Sequence, residues 1–309
     1  MKFAFFFPGQ GSQSIGMMQG LADISVARQT FDEASDILGQ DFWSMITEPN
    51  EALNQTSNTQ PLMLTAGVAT WRAWQAQSSL VPTIMAGHSL GEYSALVAAG
   101  ALTFKDALPL VRYRAEVMQN AVAEGVGAMA AILGLDDETV RQVCLEGAQG
   151  EVLEAVNLNS PGQVVIAGNK AAVERGMEIA KAKGAKRALS LPVSVPSHCA
   201  LMKPAADALA IYLQNVAISA SNVPVIHNSD VLVYSDINQM KDALVRQLYS
   251  PVRWVETVQS AFNQGVTNSA ECGPGKVLAG LTKRIVAELP CVALTSNEAF
   301  IEAQAQFST

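Results

Sequence analysis

Along this chain short apolar blocks alternate with amphipathic ones, and the two periods predict different elements. Residues 3 to 7 (FAFFF) form an unbroken apolar run ending at Pro8 and Gly9, which predicts a buried strand followed by a Gly-rich turn. Helical spacing of apolar positions then continues to about residue 80 and is clearest over 60 to 77. Thr83 to Gly87 is again short, apolar and bounded by Pro82, so a second central strand is expected there. A helix should follow from near Ser89 to about Ala99.

The texture changes at Gly127. GAMAAILGL, DDETVRQVCLEGAQ, EVLEAVNLN, GQVVIAG, KAAVERGMEIAKAK and KRALSLPVS read in turn as strand, helix, strand, strand, helix, strand. That is the order of a ferredoxin-like unit of about 65 residues, small enough to be an insertion in a larger α/β domain. Beyond it the pattern resumes, with a helix at about 201 to 215, a strand at VPVIHN, a helix at 238 to 248 and a turn at GPG, 273 to 275.

Composition narrows the classes. With 309 residues, 49% hydrophobic and 16% charged, the chain can bury a large core and is not disordered. A net charge of −8 argues against broad nucleic-acid binding, which needs an excess of Lys and Arg. Cys144, Cys199, Cys272 and Cys291 have no CxxC spacing and are expected to be free thiols, with no metal site. The first apolar run is shorter than the roughly 7 to 15 residues of an export signal, and no stretch reaches the roughly 18 of a membrane span. A cytoplasmic protein without membrane contact is expected.

The strongest chemical signal is Gly87-His88-Ser89-Leu90-Gly91, a GxSxG segment between an expected strand and an expected helix. Such an elbow projects the serine hydroxyl outward, and the helix behind it offers free N–H groups to a developing oxyanion. A serine needs a base, and the chain has only His88, His198 and His227. His88, inside the elbow, should point away. His198, in the irregular VPSHCAL stretch, is favoured over His227. No carboxylate stands in an evident catalytic context, so a serine hydrolase or thioesterase, a serine acyltransferase and a non-catalytic docking module all stay open on these residues alone.

Four segments in order change that: PGQGSQ at 8 to 13, GHSLGEYSALVAAG at 87 to 100, PVSVPSHCALMKPAAD at 192 to 207 and GPGKVLAGLTKR at 273 to 284. From residue 3 to about 286 the chain resembles the malonyl-CoA:acyl carrier protein transacylases of bacterial fatty acid synthesis. The fold this implies is α/β: an α/β-hydrolase-like large subdomain with a parallel sheet, residues 1–125 and 196–309, plus an inserted ferredoxin-like small subdomain, residues 126–195. The resemblance implies Ser89 as acylated nucleophile and His198 as its base, oriented by the backbone carbonyl of Gln247 rather than by a carboxylate. It further implies an oxyanion hole from the N–H groups of Gln10 and Leu90, and Arg114 as the grip on the malonyl carboxylate, for which its planar fork is suited. Arg112, two positions away and so on another face, is expected to be exposed.

The implied partners are coenzyme A thioesters and acyl carrier protein, with no cofactor and a monomeric state. Because both substrates are anionic, a local basic rim is expected, with Lys186, Arg187, Lys203, Lys276, Lys283 and Arg284 as candidates. The alternatives are a serine thioesterase or esterase and a polyketide-pathway acyltransferase using another carboxylated extender unit. The chain departs from the family pattern at Ala115, where glycine is usual, and at His227, where asparagine is; the second adds an ionisable group near the late strand.

Overall fold

Side chains on a strand alternate between faces, so a strand covered on both faces can carry no exposed position. In the computed structural model, which describes residues 1–193 and 195–308, β1 (Phe3–Phe7) is buried throughout. Phe3, Phe5 and Phe7 join one apolar cluster, whereas Ala4 and Phe6 join another on the opposite face, where Phe6 meets Trp254 edge-on. Helices α1 (Ser25–Leu38), α2 (Phe42–Thr47) and α3 (Thr56–Gln77) follow, then β2 (Ile84–Gly87), α4 (Gly91–Ala98) and α5 (Phe104–Ala121). Apart from its ends α3 is buried nearly all round, consistent with a helix at the centre of its layer.

The next stretch holds β3 (Gly127–Leu133), α6 (Asp137–Ala148), β4 (Leu153–Ser160), β5 (Gln163–Asn169), α7 (Lys170–Ala182) and β6 (Arg187–Ser190). The chain ends with α8 (Lys203–Leu213), β7 (Val225–Ile226), α9 (Ile237–Gln247), α10 (Trp254–Asn263), β8 (Asn268–Glu271), α11 (Val277–Ile285), β9 (Cys291–Ala293) and α12 (Asn297–Phe307). Ser194, inside the PVSVPSHCAL segment and the expected 126–195 range, and Thr309 lie outside the described residues.

Five strands form a parallel sheet in the order β7-β2-β1-β8-β9. From β1 the chain builds β2 and β7 on one side and later β8 and β9 on the other. Strand order therefore reverses at β1, and a crevice opens at the carboxyl ends of the strands there. The remaining strands form an antiparallel sheet, β4-β5-β3-β6, the ferredoxin-like order expected from sequence. Register shifts in β4 free its backbone to pair outside its own sheet, where Leu158 N–H donates to Val252 O at 3.0 Å and Val252 N–H to Val156 O at 2.8 Å. The insertion is thus sewn to the larger body beside the crevice.

Strands β8 and β9 were not anticipated, because NSAE is polar and CVA is short. Neighbouring segments meet part of this polarity: Ser269 Oγ donates to Pro290 O at 2.9 Å, and Glu271 Oε2 accepts from Ala279 N–H at the start of α11 at 2.8 Å. No helix of the described residues is long and apolar enough to cross a membrane.

Candidate active site

Strand β2 ends at Gly87, and the backbone reverses so sharply that Ser89 sits at φ +50°. A side chain at Gly87 would collide with the backbone of Gly91, and one at Gly91 with the Phe7 carbonyl, so only glycine lets strand, turn and helix approach this closely. His198 is also held at positive φ, +68°. Backbone strain of this kind persists only where surrounding contacts over-determine it. Asn228 supplies two for the elbow: its Oδ1 accepts from Ser89 N–H and its Nδ2 donates to Gly87 O, each at 2.7 Å.

Ser89 Oγ lies 2.8 Å from His198 Nε2, and His198 Nδ1 lies 2.7 Å from Gln247 O. A carbonyl can only accept, so the Nδ1 proton faces Gln247 and Nε2 of the neutral ring is free to accept the serine proton. The imidazole is buried, and burial first, then the positive charge of Arg114, push its pKa down to about 3. It is therefore neutral in the free site at ordinary pH.

Arg114 is likewise buried, and burial draws its pKa below the usual arginine value. Its guanidinium donates to Gln60 Oε1 at 2.8 Å and Gln247 Oε1 at 2.9 Å, lies 3.4 Å from Ser89 Oγ, and leaves Nε unpartnered. These acceptors are uncharged, so Arg114 is a buried cation whose direct partners are neutral, a setting that can pair with a carboxylate. Gln10 and Leu90 line the same cavity, of about 130 Å³, together with Met129, Asn157, Leu191 and Val193 from the inserted segment. The residues expected to act together thus converge on one cleft.

Arg112 departs from expectation. It is half-buried rather than exposed, donating to Gln40 Oε1 at 2.5 Å with its guanidinium over the Phe42 ring at 5.8 Å. Helix α1, whose last turns Gln40 and Phe42 follow, covers that face of α5. His88 points away from Ser89 as expected: Nε2 is 2.8 Å from Asn159 Oδ1 of β4, the ring lies against Trp254, and burial lowers its pKa. His227 does not line the cavity; it is buried with Nδ1 2.7 Å from Glu92 Oε1. The six candidate basic residues are all exposed.

Sequence reasoning missed Gln60, Asn159, Asn228 and above all Glu92. A signal for Glu92 existed, since it is the sole charge in the otherwise apolar LGEYSALVAAGAL. The convergence of Gln60 and Asn228 from distant elements had none. Among the described residues no cluster of His, Cys, Asp and Glu could hold a metal ion.

Comparison with known proteins points one way. The family model described as the acyl transferase domain matches residues 4–294. The malonyl CoA-acyl carrier protein transacylase of Salmonella typhimurium is 56% identical over 307 residues, covering 99% of each chain. The solved acyl-carrier-protein S-malonyltransferase of Burkholderia pseudomallei superposes with a TM-score of 0.97 at 59% identity, covering 99% of this chain and 100% of that one. A malonyl-transacylase solved in complex with its type II polyketide acyl carrier protein also gives a TM-score of 0.97, at 54% identity and covering 99% of this chain and 100% of that one.

Proposed function

Since this chain belongs to the acyl transferase family, we propose that it moves a malonyl group from coenzyme A to the phosphopantetheine thiol of acyl carrier protein through an ester on Ser89. The carrying observation is a buried guanidinium, Arg114, 3.4 Å from a hydroxyl that is itself 2.8 Å from an imidazole. A base beside a serine suits any acyl group, whereas a buried cation with only neutral partners suits an acyl group that ends in a carboxylate.

In the first half-reaction Ser89 Oγ attacks the thioester carbonyl while His198 Nε2 takes its proton. The developing oxyanion is met by the N–H groups of Gln10, in the turn after β1, and of Leu90, at the N-terminal end of α4. Collapse breaks the C–S bond, and His198 returns the proton to the departing coenzyme A sulfur. The second half-reaction reverses these roles: the carrier thiol loses its proton to His198, its sulfur attacks the ester, and Ser89 leaves with the proton. One thioester replaces another, so no metal or cofactor is called for. We place this chemistry in the cytoplasm.

The malonyl carboxylate also prepares the base. Paired with Arg114, it cancels part of the positive charge that depresses the His198 imidazole, so the ring becomes a better proton acceptor once the right substrate is bound. The decisive experiment is mass spectrometry after exposure to malonyl-CoA without carrier protein. One malonyl adduct on Ser89, absent from Ser89→Ala, is expected; equal labelling of that variant would remove the assignment. Turnover of Ser89→Ala should fall by about four orders of magnitude or more.

A further inference from the structure

Glu92, on the first turn of α4, is fully buried three residues after Ser89, and the reaction as described gives it no task. Its Oε2 accepts from the backbone N–H of Asn228 at 3.0 Å and from Gln247 Nε2 at 2.8 Å, and its Oε1 lies 2.7 Å from His227 Nδ1. Gln247 is the hub of these contacts. Its Nε2 donates both to Glu92 and, at 2.9 Å, to Ser89 O; its Oε1 accepts from Arg114, and its backbone carbonyl faces His198 Nδ1.

An amide has two unlike ends, and reversing it would turn NH₂ donors toward the guanidinium, which has donors only. Something must hold it the right way round. The Ser89 carbonyl and the Glu92 carboxylate are acceptors without competing donors, and of the two only the carboxylate brings a full charge to the bond. We infer that Glu92 is a positioning residue: its carboxylate fixes which end of the Gln247 amide faces Arg114, and so couples the acyl-carboxylate grip to the nucleophile and its base. The same anion, one side chain beyond Arg114, sits within electrostatic reach of that buried charge. This inference rests on the malonyl-transfer reading above.

Glu92→Gln keeps the shape but replaces the charged acceptor facing Gln247 Nε2 by a neutral one, and its new NH₂ can face Gln247 Nε2 or, if the His227 ring changes tautomer, His227 Nδ1. The Gln247 amide then loses the charged acceptor that fixes its orientation, and malonyl-CoA labelling of Ser89 should slow by roughly 5- to 150-fold. Labelling by acetyl-CoA, which does not use the Arg114 grip, should slow less, so the malonyl preference narrows. Glu92→Asp, which keeps the acceptors but is one methylene shorter, should retain more activity than Glu92→Gln. A residue that merely fills space predicts the reverse order and equal losses on both substrates; either result overturns the inference.

Should Glu92→Gln not fold, the cycle of Glu92→Asp with Gln247→Leu decides. Glu92→Asp should cost clearly less once the amide is gone, leaving only what its bonds to Asn228 and His227 contribute, and fully additive losses would overturn the coupling. If the unsubstituted protein itself forms no malonyl ester, it is the functional reading that fails, not this inference.

Discussion

The carboxyl edge of the parallel sheet and the inserted antiparallel sheet are packed from different materials. At the first, Gln60, Glu92, Arg114, His198, His227, Asn228 and Gln247 are all at most 2% exposed. In the second, the core is Ala130, Ile132, Val140, Val143, Leu153, Val164, Ile166 and their apolar neighbours, and its ion pairs, such as Lys181 with Glu178 at 2.8 Å, lie at the surface. Burying polar groups costs free energy unless every donor and acceptor is met, so a protein concentrates them where they are used. The core of the insertion has no such need and packs by apolar contact, while the insertion lends the cleft Met129, Asn157, Leu191 and Val193 as a wall.

The comparison breaks or sharpens under substitution. Arg114→Ala, at the polar edge, should lower malonyl transfer by about two to three orders of magnitude, while acetyl transfer suffers less and gains in relative terms. Steady-state kinetics on the two thioesters would show it, and unchanged selectivity would move the carboxylate grip elsewhere. Ile166→Ala, in the inserted core, should destabilise the fold by about 2 to 5 kcal/mol and leave kcat of the folded enzyme unchanged. Urea denaturation followed by assay below the transition separates the two, and a fall in kcat would mean that the insertion does more than pack.

Acidification below about pH 6.5 should act on the polar edge through His198, which is buried there. The unfolded His198 ring takes a proton near 6.5, whereas the folded one resists until about 3. Between those values the unfolded chain binds the extra proton, so stability rises with pH across the window and falls as the solution is acidified. His198→Ala should flatten part of that slope in denaturation midpoints measured from about pH 7 to about pH 5. An equally steep variant would put the acid sensitivity elsewhere. The smallest effect is expected of Lys181→Ala, within about 0.5 kcal/mol, because the pair is half-exposed and both partners are well solvated. A larger loss in thermal melts would show that the insertion's surface also carries stability.

The alternation of elements was legible because each is stamped locally: FAFFF cannot be anything but buried, and the six segments from Gly127 onward switch period at each boundary. The GxSxG elbow was legible for the same reason, since tight backbone approach demands glycine at fixed spacing. Strand β8 was not, because the polar Ser269 and Glu271 are made compatible with an inner strand by partners at Pro290 and Ala279 that lie outside a local window. Arg112 was read as exposed because helical geometry tells which residues share a face, yet not that α1 and α2 cover the face in question.

By itself the sequence determined the period of each element, the cramped elbow that presents Ser89, and, by its scarcity of histidine, a short choice of bases. Those are properties of covalent geometry and of burial within a few residues. Only the tertiary structure decided that Gln247, from α9, would touch Ser89, His198, Arg114 and Glu92 at once. Whether a buried polar group is satisfied depends on angles and distances of a few tenths of an ångström between residues here 49 to 158 positions apart, and no local pattern encodes them.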